Sequence, residues 1–188
     1  MSLYDRVLEL PLVVESYTLE GREHVISPEF TRKTTTVHLT GAGEEGLGED
    51  VTYGAEDQDA QQARGPVLPL AGDWTLHTFS QHLETLPLFE SEPEMHAFLD
   101  YRRWAFESAA LDVALRQAGK ALGDVVGREP RPVTFVASGG LGDPPTTVRI
   151  RSFLELYPGS ASSSTHDPTG PRRSSPSWSS SAASTRST

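Results

Sequence analysis

The polar segment Gly21–Lys33 holds side chains that can donate hydrogen bonds and carry positive charge. Arg22, His24 and Arg32 stand out within it, and Lys33 ends it. The segment lies between two strand-like runs and is longer than a hairpin turn requires. Loops longer than expected often carry function, whereas a solvated loop without a function is the simpler alternative. We therefore treat these side chains as candidates for contact with a ligand.

Other groups of polar residues lack the spacing that a catalytic or metal site needs. Glu107 and Asp112 lie five positions apart, so on a helix they do not share a face. The acidic residues in the range 44–50 are interpreted as a charged turn rather than a cation site. The histidines do not have the spacing of metal ligands. We expect no catalytic residue and no metal ligand from these groups.

Ser138 follows Val133–Ala137, a short run that is apolar throughout. Apolar runs without alternation are typical of strands in parallel sheets covered on both faces. The glycines after Ser138 lack the Lys-Ser/Thr of a phosphate-binding loop, and Ser138 lacks the context of a nucleophile elbow. The following segment, Thr146–Tyr157, has a mixed period that fits a strand or a helix, and we favour a helix.

The segment Trp104–Gly127 is the element around which the other elements must pack. Its apolar residues recur at three- and four-residue intervals, which places them on one face of a helix: Phe106, Ala109, Ala110, Val113, Ala114 and Ala118. The many alanines allow a neighbouring element to approach closely. The pattern predicts a tightly packed, buried helix that closes a small domain.

Three strand-like runs precede this helix and predict an antiparallel meander: Arg6–Tyr17, Thr34–Thr40 and Leu47–Tyr53. The polar run Gly54–Pro66 is expected to be a mobile loop. Trp74–Leu86 has helical spacing, with Asp73 as the expected N-cap. The predicted fold class is therefore α+β, with a three-stranded meander followed by a helical bundle.

Composition limits the classes of protein to which the chain can belong. Its 188 residues carry a net charge of −10, which disfavours a nucleic-acid partner. The chain has no cysteine, so disulfides and thiolate sites are excluded. Its first residues contain no apolar run long enough for a signal peptide or a membrane span. We expect a cytoplasmic protein without a membrane partner.

The segment Pro158–Thr188 differs abruptly from the rest of the chain. It contains twelve serines and has no Leu, Ile, Val, Met or Phe. Such a composition cannot bury enough apolar surface to offset the entropy lost on ordering, so we expect a disordered tail. A genuine Ser-rich low-complexity tail is one interpretation.

Reading in a wrong frame is the other interpretation of this tail. In Gly159–Thr165, suppose that the serine codons have the form TCN. If the frame is shifted so that each triplet starts at the third base of the preceding codon, every such serine position yields the triplet NTC. Every NTC codon encodes Phe, Leu, Ile or Val. If Ser163 is encoded by AGC, the hidden frame alternates apolar and other residues, as a strand does. We therefore hypothesise that the tail is translated out of frame and that the intended protein continues as a larger α/β domain.

These features together resemble the N-terminal capping domain of the enolase superfamily, in the mandelate racemase and muconate lactonizing branch that includes o-succinylbenzoate synthase. The resemblance rests on the meander and on four motifs: Gly46–Glu49, Ala105–Ala114, Gly119–Lys120 and Val126–Gly127. It extends over about residues 5 to 157. It implies a capping domain at 1–130, a remnant of a TIM-like barrel at 131–157, and the disordered tail at 158–188.

The resemblance also implies a chemistry. In that superfamily Mg²⁺ stabilises the enediolate formed when a Lys or His abstracts the proton α to a carboxylate. Two cap loops shape specificity, and they map here to Leu19–Lys33 and Gly54–Pro66. The substrate-binding residues implied for this chain, for a small carboxylic acid, are Arg22, His24, Arg32 and, at the end of the first barrel strand, Ser138.

The chain lacks the residues that this chemistry requires. After the first barrel strand its carboxylates are Asp143, Glu155 and Asp167, and its two lysines, Lys33 and Lys120, precede the barrel. We therefore expect a truncated polypeptide, inactive alone and without a cofactor, whose full-length parent is a Mg²⁺-dependent isomerase or lyase: an isomerase, cycloisomerase, epimerase or dehydratase. Its barrel-facing surface is expected to be exposed and to cause self-association. The alternative is a free-standing α+β binding or interaction domain with a Ser-rich tether.

Overall fold

The structure is a computed structural model that describes residues 2–133, 136–139, 145–157 and 161–164. Its helices and strands follow one another in this order: α1 (Tyr4–Val7), β1 (Pro11–Val14), β2 (Ser16–Ser27), β3 (Phe30–Gly41), β4 (Glu44–Asp50), α2 (Ala55–Arg64), β5 (Gly72–Thr75), α3 (Leu76–Glu84), α4 (Ala97–Gln117), α5 (Leu122–Val126), β6 (Val136–Gly139), α6 (Val148–Leu156) and β7 (Ala161–Ser164). The chain divides into two compact units, Met1–Pro130 and Arg131–Thr188.

The α+β fold class predicted from the sequence is confirmed, because β2, β3 and β4 form an antiparallel sheet that packs on α4. The predicted first strand differs from the structure. Within Arg6–Tyr17, β1 leaves the meander and pairs with β5, Pro11 lying opposite Thr75. The meander instead begins at Ser16, opposite Thr40.

The segment Gly21–Lys33 was expected to be a loop, and that expectation is wrong. Its residues continue β2 and β3, which are joined by a tight turn at Pro28 and Glu29. The polar residues of β2 form a strand because they pair with the β-branched run in β3. Since β4 pairs with β3 only from Thr35 onward, the outer half of the hairpin projects as a two-stranded ribbon.

The predicted helix Trp104–Gly127 is two helices in the structure, α4 and α5. Gly119 and Gly127 have φ angles of 61° and 63°, the left-handed conformation that ends helices. Ala118 was expected on the buried face but is exposed, because α4 ends at Gln117. The other expected positions are buried, with at most 1% of their surface exposed: Phe106, Ala109, Ala110, Val113 and Ala114.

The glycines of β4 explain why α4 is rich in alanine. Gly46 and Gly48 face α4, and a Cβ atom at either position would overlap a backbone carbonyl oxygen of the helix, that of Ala109 or of Ala105. The strand therefore lies directly against the helix backbone. Leu47, between the two glycines, points to the other side and is 45% exposed.

The run Gly54–Pro66 was expected to be a mobile loop, but residues Ala55–Arg64 form helix α2. The buried residues of α2 are Gln58 and Gln61, so the helix has no apolar periodicity to reveal it. Gln58 is fully buried and its amide is satisfied: Oε1 accepts a 2.6 Å hydrogen bond from the Thr35 hydroxyl, and Nε2 donates to the Asp50 carbonyl at 3.1 Å. Helix α2 is therefore held in place by hydrogen bonds of a buried polar side chain rather than by burial of apolar side chains.

Helix α3 lies within the predicted range Trp74–Leu86, but its N-cap is Thr75 rather than Asp73. The Thr75 side chain accepts a hydrogen bond from the Thr78 backbone N–H, and Thr78 Oγ1 accepts one from the Thr75 backbone N–H. Asp73 lies in β5, where it pairs with Val13. Because β5 includes Asp73, the N-cap of α3 lies two residues later than expected.

The second unit contains a strand, a helix and a strand. β6 and β7 pair in parallel, with α6 between them in sequence, and the helix favoured for Thr146–Tyr157 is confirmed. Val133, the expected first residue of the strand, lies outside β6, which is described from Val136. The tail was expected to be disordered, but four of its residues, Ala161–Ser164, form β7. They can do so because backbone pairing with β6 does not depend on apolar side chains. The remainder of the tail lies outside the described residues.

Tyr17 joins the sheet to α4 and should make stability depend on pH. Its ring packs edge-on against Phe106 with centroids 5.7 Å apart, and its oxygen accepts a 2.9 Å hydrogen bond from the Leu68 backbone N–H. Burial raises the pKa of the hydroxyl above its ordinary value of 10.0, against the lowering effects of the Leu68 hydrogen bond and of Arg64. The folded state therefore keeps this proton to a higher pH than the unfolded state does.

Below about pH 10 the Tyr17 hydroxyl is protonated in both states, so its ionisation should not change the free energy of unfolding. As the pH rises from there through the folded-state pKa, we expect this free energy to fall. Tyr17→Phe should abolish that part of the decline. Urea unfolding of both proteins between about pH 8 and pH 11 measures it. Equal slopes for the two proteins above pH 10 would contradict the raised pKa.

Candidate functional site

One face of the projecting ribbon brings three of the four predicted substrate-binding residues together. His24 lies directly opposite Arg32 in the β2–β3 ladder, and Arg22 lies opposite Thr34. Residues directly opposite each other, or two apart on one strand, share a face of the sheet. Arg22, His24 and Arg32 therefore share one face, which we call the basic face.

Arg32 connects the basic face to the segment that follows β4. Its Nη2 donates a short hydrogen bond to the Val51 carbonyl, and its Nη1 donates to the Thr52 carbonyl at 3.4 Å. Its guanidinium lies over the ring of Tyr53, 4.2 Å from the ring centroid. Tyr53 is 66% exposed, so an aromatic hydroxyl lies at the edge of the basic face. Tyr53 was expected in the third strand, which ends at Asp50 in the structure, and it was not predicted as a site residue.

Arg22 is oriented by its neighbours but remains accessible. Its Nε donates to Thr36 Oγ1 at 3.0 Å, and its Nη2 lies 2.7 Å from Glu20 Oε2. The Arg22 side chain is 58% exposed and that of Glu20 is 49% exposed. An exposed pair of this kind contributes about 0–1 kcal/mol, so a stronger anion can compete for the guanidinium.

Helix α2 packs against the opposite side of the ribbon. Lys33 Nζ lies 2.6 Å from Asp59 Oδ2, and this hydrogen bond is the main reason why the pKa of Lys33 is raised. Gln62 Nε2 donates to Thr35 Oγ1 at 2.8 Å. The two segments that the resemblance assigns to substrate specificity, Leu19–Lys33 and Gly54–Pro66, are therefore neighbours. Lys33 attaches α2 to the ribbon and lies away from the basic face.

A buried ion pair lies next to the segment that Arg32 contacts. Arg102 Nε lies 2.7 Å from Asp50 Oδ2, and their side chains are 3% and 0% exposed. Arg102 also donates to the Leu88 carbonyl at 3.1 Å and to the Asp57 carbonyl at 2.9 Å. Asp50 Oδ1 accepts a 2.9 Å hydrogen bond from the Thr52 backbone N–H. The pair therefore holds β4, α2 and α4 together directly beneath the Val51–Tyr53 segment.

This ion pair was not predicted, although the sequence contains a signal for one of its partners. Arg102 lies three, four and seven positions before buried residues of α4, Ala105, Phe106 and Ala109, so its side chain falls on the buried face. A charged residue on such a face must be paired. Asp50 carried no such signal, because it ends a run of acidic residues that fitted a charged turn.

Ser138 is the remaining predicted substrate-binding residue, and Mg²⁺ is expected only in the full-length parent. Ser138 lies in β6, opposite Ser163, and belongs to the second unit. Among the residues that the structure describes, no group of three or more His, Asp or Glu could hold a metal ion. The described residues therefore do not fit a Mg²⁺ site. No helix in the described ranges is both long and apolar enough to cross a membrane.

The basic face is suited to binding a small carboxylate. Guanidinium groups bind carboxylates through paired, charge-assisted hydrogen bonds, and an imidazole and a phenol can add further donors. The same face also carries Glu20, so a bound carboxylate would compete with Glu20 for the Arg22 guanidinium. This arrangement can bind and orient an anion, and it contains no group positioned as a nucleophile.

Comparison with known families identifies the first unit. Residues 5–125, more than half of the chain, match the family model described as the N-terminal domain of a domain of unknown function, DUF8230. The chain belongs to this family. The matched part of the DUF8230 N-terminal domain contains the whole meander, the basic face and α4. No curated protein matches the chain.

A solved structure shares the fold. The chain is similar to an isomerase from Streptomyces coelicolor A3(2), with 19% sequence identity and a TM-score of 0.50. The similarity covers 69% of this chain and 35% of the isomerase. At this level of identity the likeness concerns the fold. This chain therefore corresponds to about a third of that protein's length.

Proposed function

We propose that the DUF8230 N-terminal domain of this chain is the capping domain of an isomerase of the enolase superfamily, and that its basic face binds the carboxylate of the substrate. The observation that carries the proposal is the position of Arg22 and Arg32 on one face, with Tyr53 at its edge. In this account the cap binds and orients the anion, and it does not itself transfer the proton.

Several observations support a cap that works with a second domain. The matching family model describes an N-terminal domain, and the similar solved structure is an isomerase of which this chain spans 35%. The strand β6 followed by the helix α6 is the order of the first strand and helix of a parallel barrel. The Mg²⁺ that such chemistry uses would have to be held by residues outside the described part of this chain.

The outer side of α4 supports a further packing partner. Trp104 is 52% exposed on this helix. Nearby, a cavity of about 190 Å³ is lined mainly by apolar side chains from α1, α3 and α4, among them Val7, Phe79 and Leu111. The exposed Trp104 ring and this mainly apolar cavity are the features that a packing partner would cover. In the proposed enzyme another domain covers it, and in its absence self-association does.

The test uses exchange of the proton α to a carboxylate. We expect the 188-residue chain to incorporate no deuterium into small carboxylic acids with or without Mg²⁺. The same chain, continued from about residue 158 in the alternative reading frame, should catalyse Mg²⁺-dependent exchange. In that longer protein, Arg22→Gln should lower kcat/KM about 10- to 100-fold, because it removes a charged hydrogen bond to the substrate.

Lys33→Gln is the matched control, since it removes a neighbouring cation that pairs with Asp59 away from the basic face. It should leave kcat/KM within about twofold of the unmodified enzyme. Proton NMR of the substrate measures the exchange. Equal losses for the two variants would argue against substrate binding by the basic face, and exchange by neither chain would argue against the whole proposal.

A second candidate function, a free-standing binding domain, is favoured by one observation. Residues Met1–Pro130 form a compact unit with its own apolar core. A monomeric protein that unfolds cooperatively and binds a partner without the second domain would support this alternative. Self-association through the outer side of α4 would favour the capping domain.

A further inference from the structure

The sheet formed by β2, β3 and β4 has two edges, and they differ in what contacts them. On the β4 edge, the Leu47 backbone N–H donates to Asp112 Oδ2 at 3.1 Å, so a side chain of α4 occupies a group that another strand would need. On the β2 edge, no described residue outside β3 hydrogen-bonds to the backbone of Tyr17–Ile26. Unpaired backbone groups along an edge strand are able to pair with another strand. The free edge of this sheet is therefore β2.

This free edge is long and exposed. β2 has twelve residues, and all of Glu20–Ile26 are exposed. Proteins commonly protect such edges with lysines, prolines or bulges. The stretch Thr18–His24 contains no lysine and no proline, and the register shift between β2 and β3 lies further along, between Val25 and Ser27. Thr18–His24 therefore keeps the regular geometry that addition of a strand requires.

The charges of β2 are self-complementary about Gly21. Glu20 and Arg22 flank this glycine and, being two residues apart on a strand, share one face. When a second β2 strand runs antiparallel with Gly21 opposite Gly21, each Glu20 lies opposite Arg22 of the other copy. Opposite charges directly across two strands are favourable, and like charges are unfavourable. Moving the centre of the pairing by one residue places Arg22 opposite Arg22 or Glu20 opposite Glu20, so the charges select the pairing centred on Gly21.

The contacts of Arg22 within its own chain leave it able to bind a second copy. A guanidinium has five N–H donors, of which Nε donates to Thr36 Oγ1 and Nη2 donates to Glu20 Oε2. The pair with Glu20 is exposed, and exposed ion pairs contribute little to stability. The remaining donors of Arg22 can therefore bind the carboxylate of Glu20 in the second copy.

We propose that two copies of this chain associate through their β2 strands, which pair antiparallel about Gly21 and join two three-stranded sheets into one sheet of six strands. Backbone hydrogen bonds supply the attraction, and the pairs of Glu20 with Arg22 set the register. Because both copies use the same residues, the contact closes at two chains. This dimer does not rest on carboxylate binding by the basic face, and its test contains no substrate, so either proposal can fail alone.

The test is sedimentation velocity of the 188-residue chain over a series of concentrations. We expect the fraction of dimer in the unmodified chain to rise with concentration. Arg22→Glu and Glu20→Arg should each weaken self-association about tenfold or more, because like charges then lie opposite each other at two positions. A mixture of the two variants should dimerise as the unmodified chain does, since both pairs of opposite charges are restored between the two different chains.

Two controls complete the experiment. Both substituted residues are exposed, so circular dichroism should show that the two variants fold like the unmodified chain. Trp104→Ser changes the outer side of α4 and should leave the β2 dimer and its dependence on charge unchanged. The proposal would be overturned by an unmodified chain that is monomeric at every concentration, by a mixture that associates no more than the single variants, or by self-association that is lost in Trp104→Ser but insensitive to the charges.

Discussion

Replacing Asp50 with Ala is expected to destabilise the first unit by about 3–5 kcal/mol, because it leaves the buried guanidinium of Arg102 without its counter-charge. The magnitude follows from burial: the two side chains are 0% and 3% exposed, so water cannot replace the lost partner. The loss should also free the Val51–Tyr53 segment, because Asp50 Oδ1 accepts from the Thr52 N–H. Urea unfolding followed by circular dichroism measures the free energy.

A double-mutant cycle separates the pair from its surroundings. Asp50→Leu combined with Arg102→Met should cost less than the sum of the two single changes, because no unpaired charge is left behind. The matched control is Arg116→Ala on the same helix, whose pair with Asp112 is exposed and should contribute less than about 1 kcal/mol. An Asp50→Ala cost no larger than that of the control would refute the anchoring role of the pair.

Gly48→Ala should destabilise the unit by about 3 kcal/mol, the upper part of the range for overpacking. A Cβ atom at this position would overlap the Ala105 carbonyl oxygen, which belongs to the helix backbone and cannot rotate away. Either β4 or α4 must move as a whole, and the ion pair of Asp50, two residues further along the strand, moves with it. Gly46→Ala should behave similarly, because its Cβ would overlap the Ala109 carbonyl oxygen.

Leu47→Ala is the control for strand position. Leu47 lies between the two glycines, faces away from α4 and is 45% exposed, so its loss should cost less than about 1 kcal/mol. The comparison uses the same unfolding measurement for all three variants. If Gly48→Ala costs no more than Leu47→Ala, β4 does not lie against the helix backbone as the structure describes.

The fold was predictable where the spacing of apolar residues matched the face that the element buries. The alanines and Phe106 of α4 predicted a buried helix, and Gly46 and Gly48 turn out to be the residues that let β4 approach it. Helix α2 was missed because its buried residues are the polar Gln58 and Gln61, and Gln58 is stabilised by hydrogen bonds rather than by apolar packing. Pattern analysis cannot detect a helix whose buried side is polar.

The candidate site was predicted in part. Arg22, His24 and Arg32 were identified as binding candidates, but as members of a loop. Their arrangement on one face follows from the pairing of β2 with β3, and the polar composition of this segment concealed both strands. Tyr53 enters the site through its contact with Arg32, a tertiary contact that residue spacing does not encode.

The proposed enolase-like role depends most directly on what the gene encodes beyond Tyr157. The measurement is the nucleotide sequence of the gene and its transcript through and past the codons for Pro158–Thr188, read in all three frames. We expect a long continuation in one alternative frame, with alternating strands and helices, a lysine where the second barrel strand would begin, and carboxylates from successive later strands. Early stop codons in both alternative frames would contradict it.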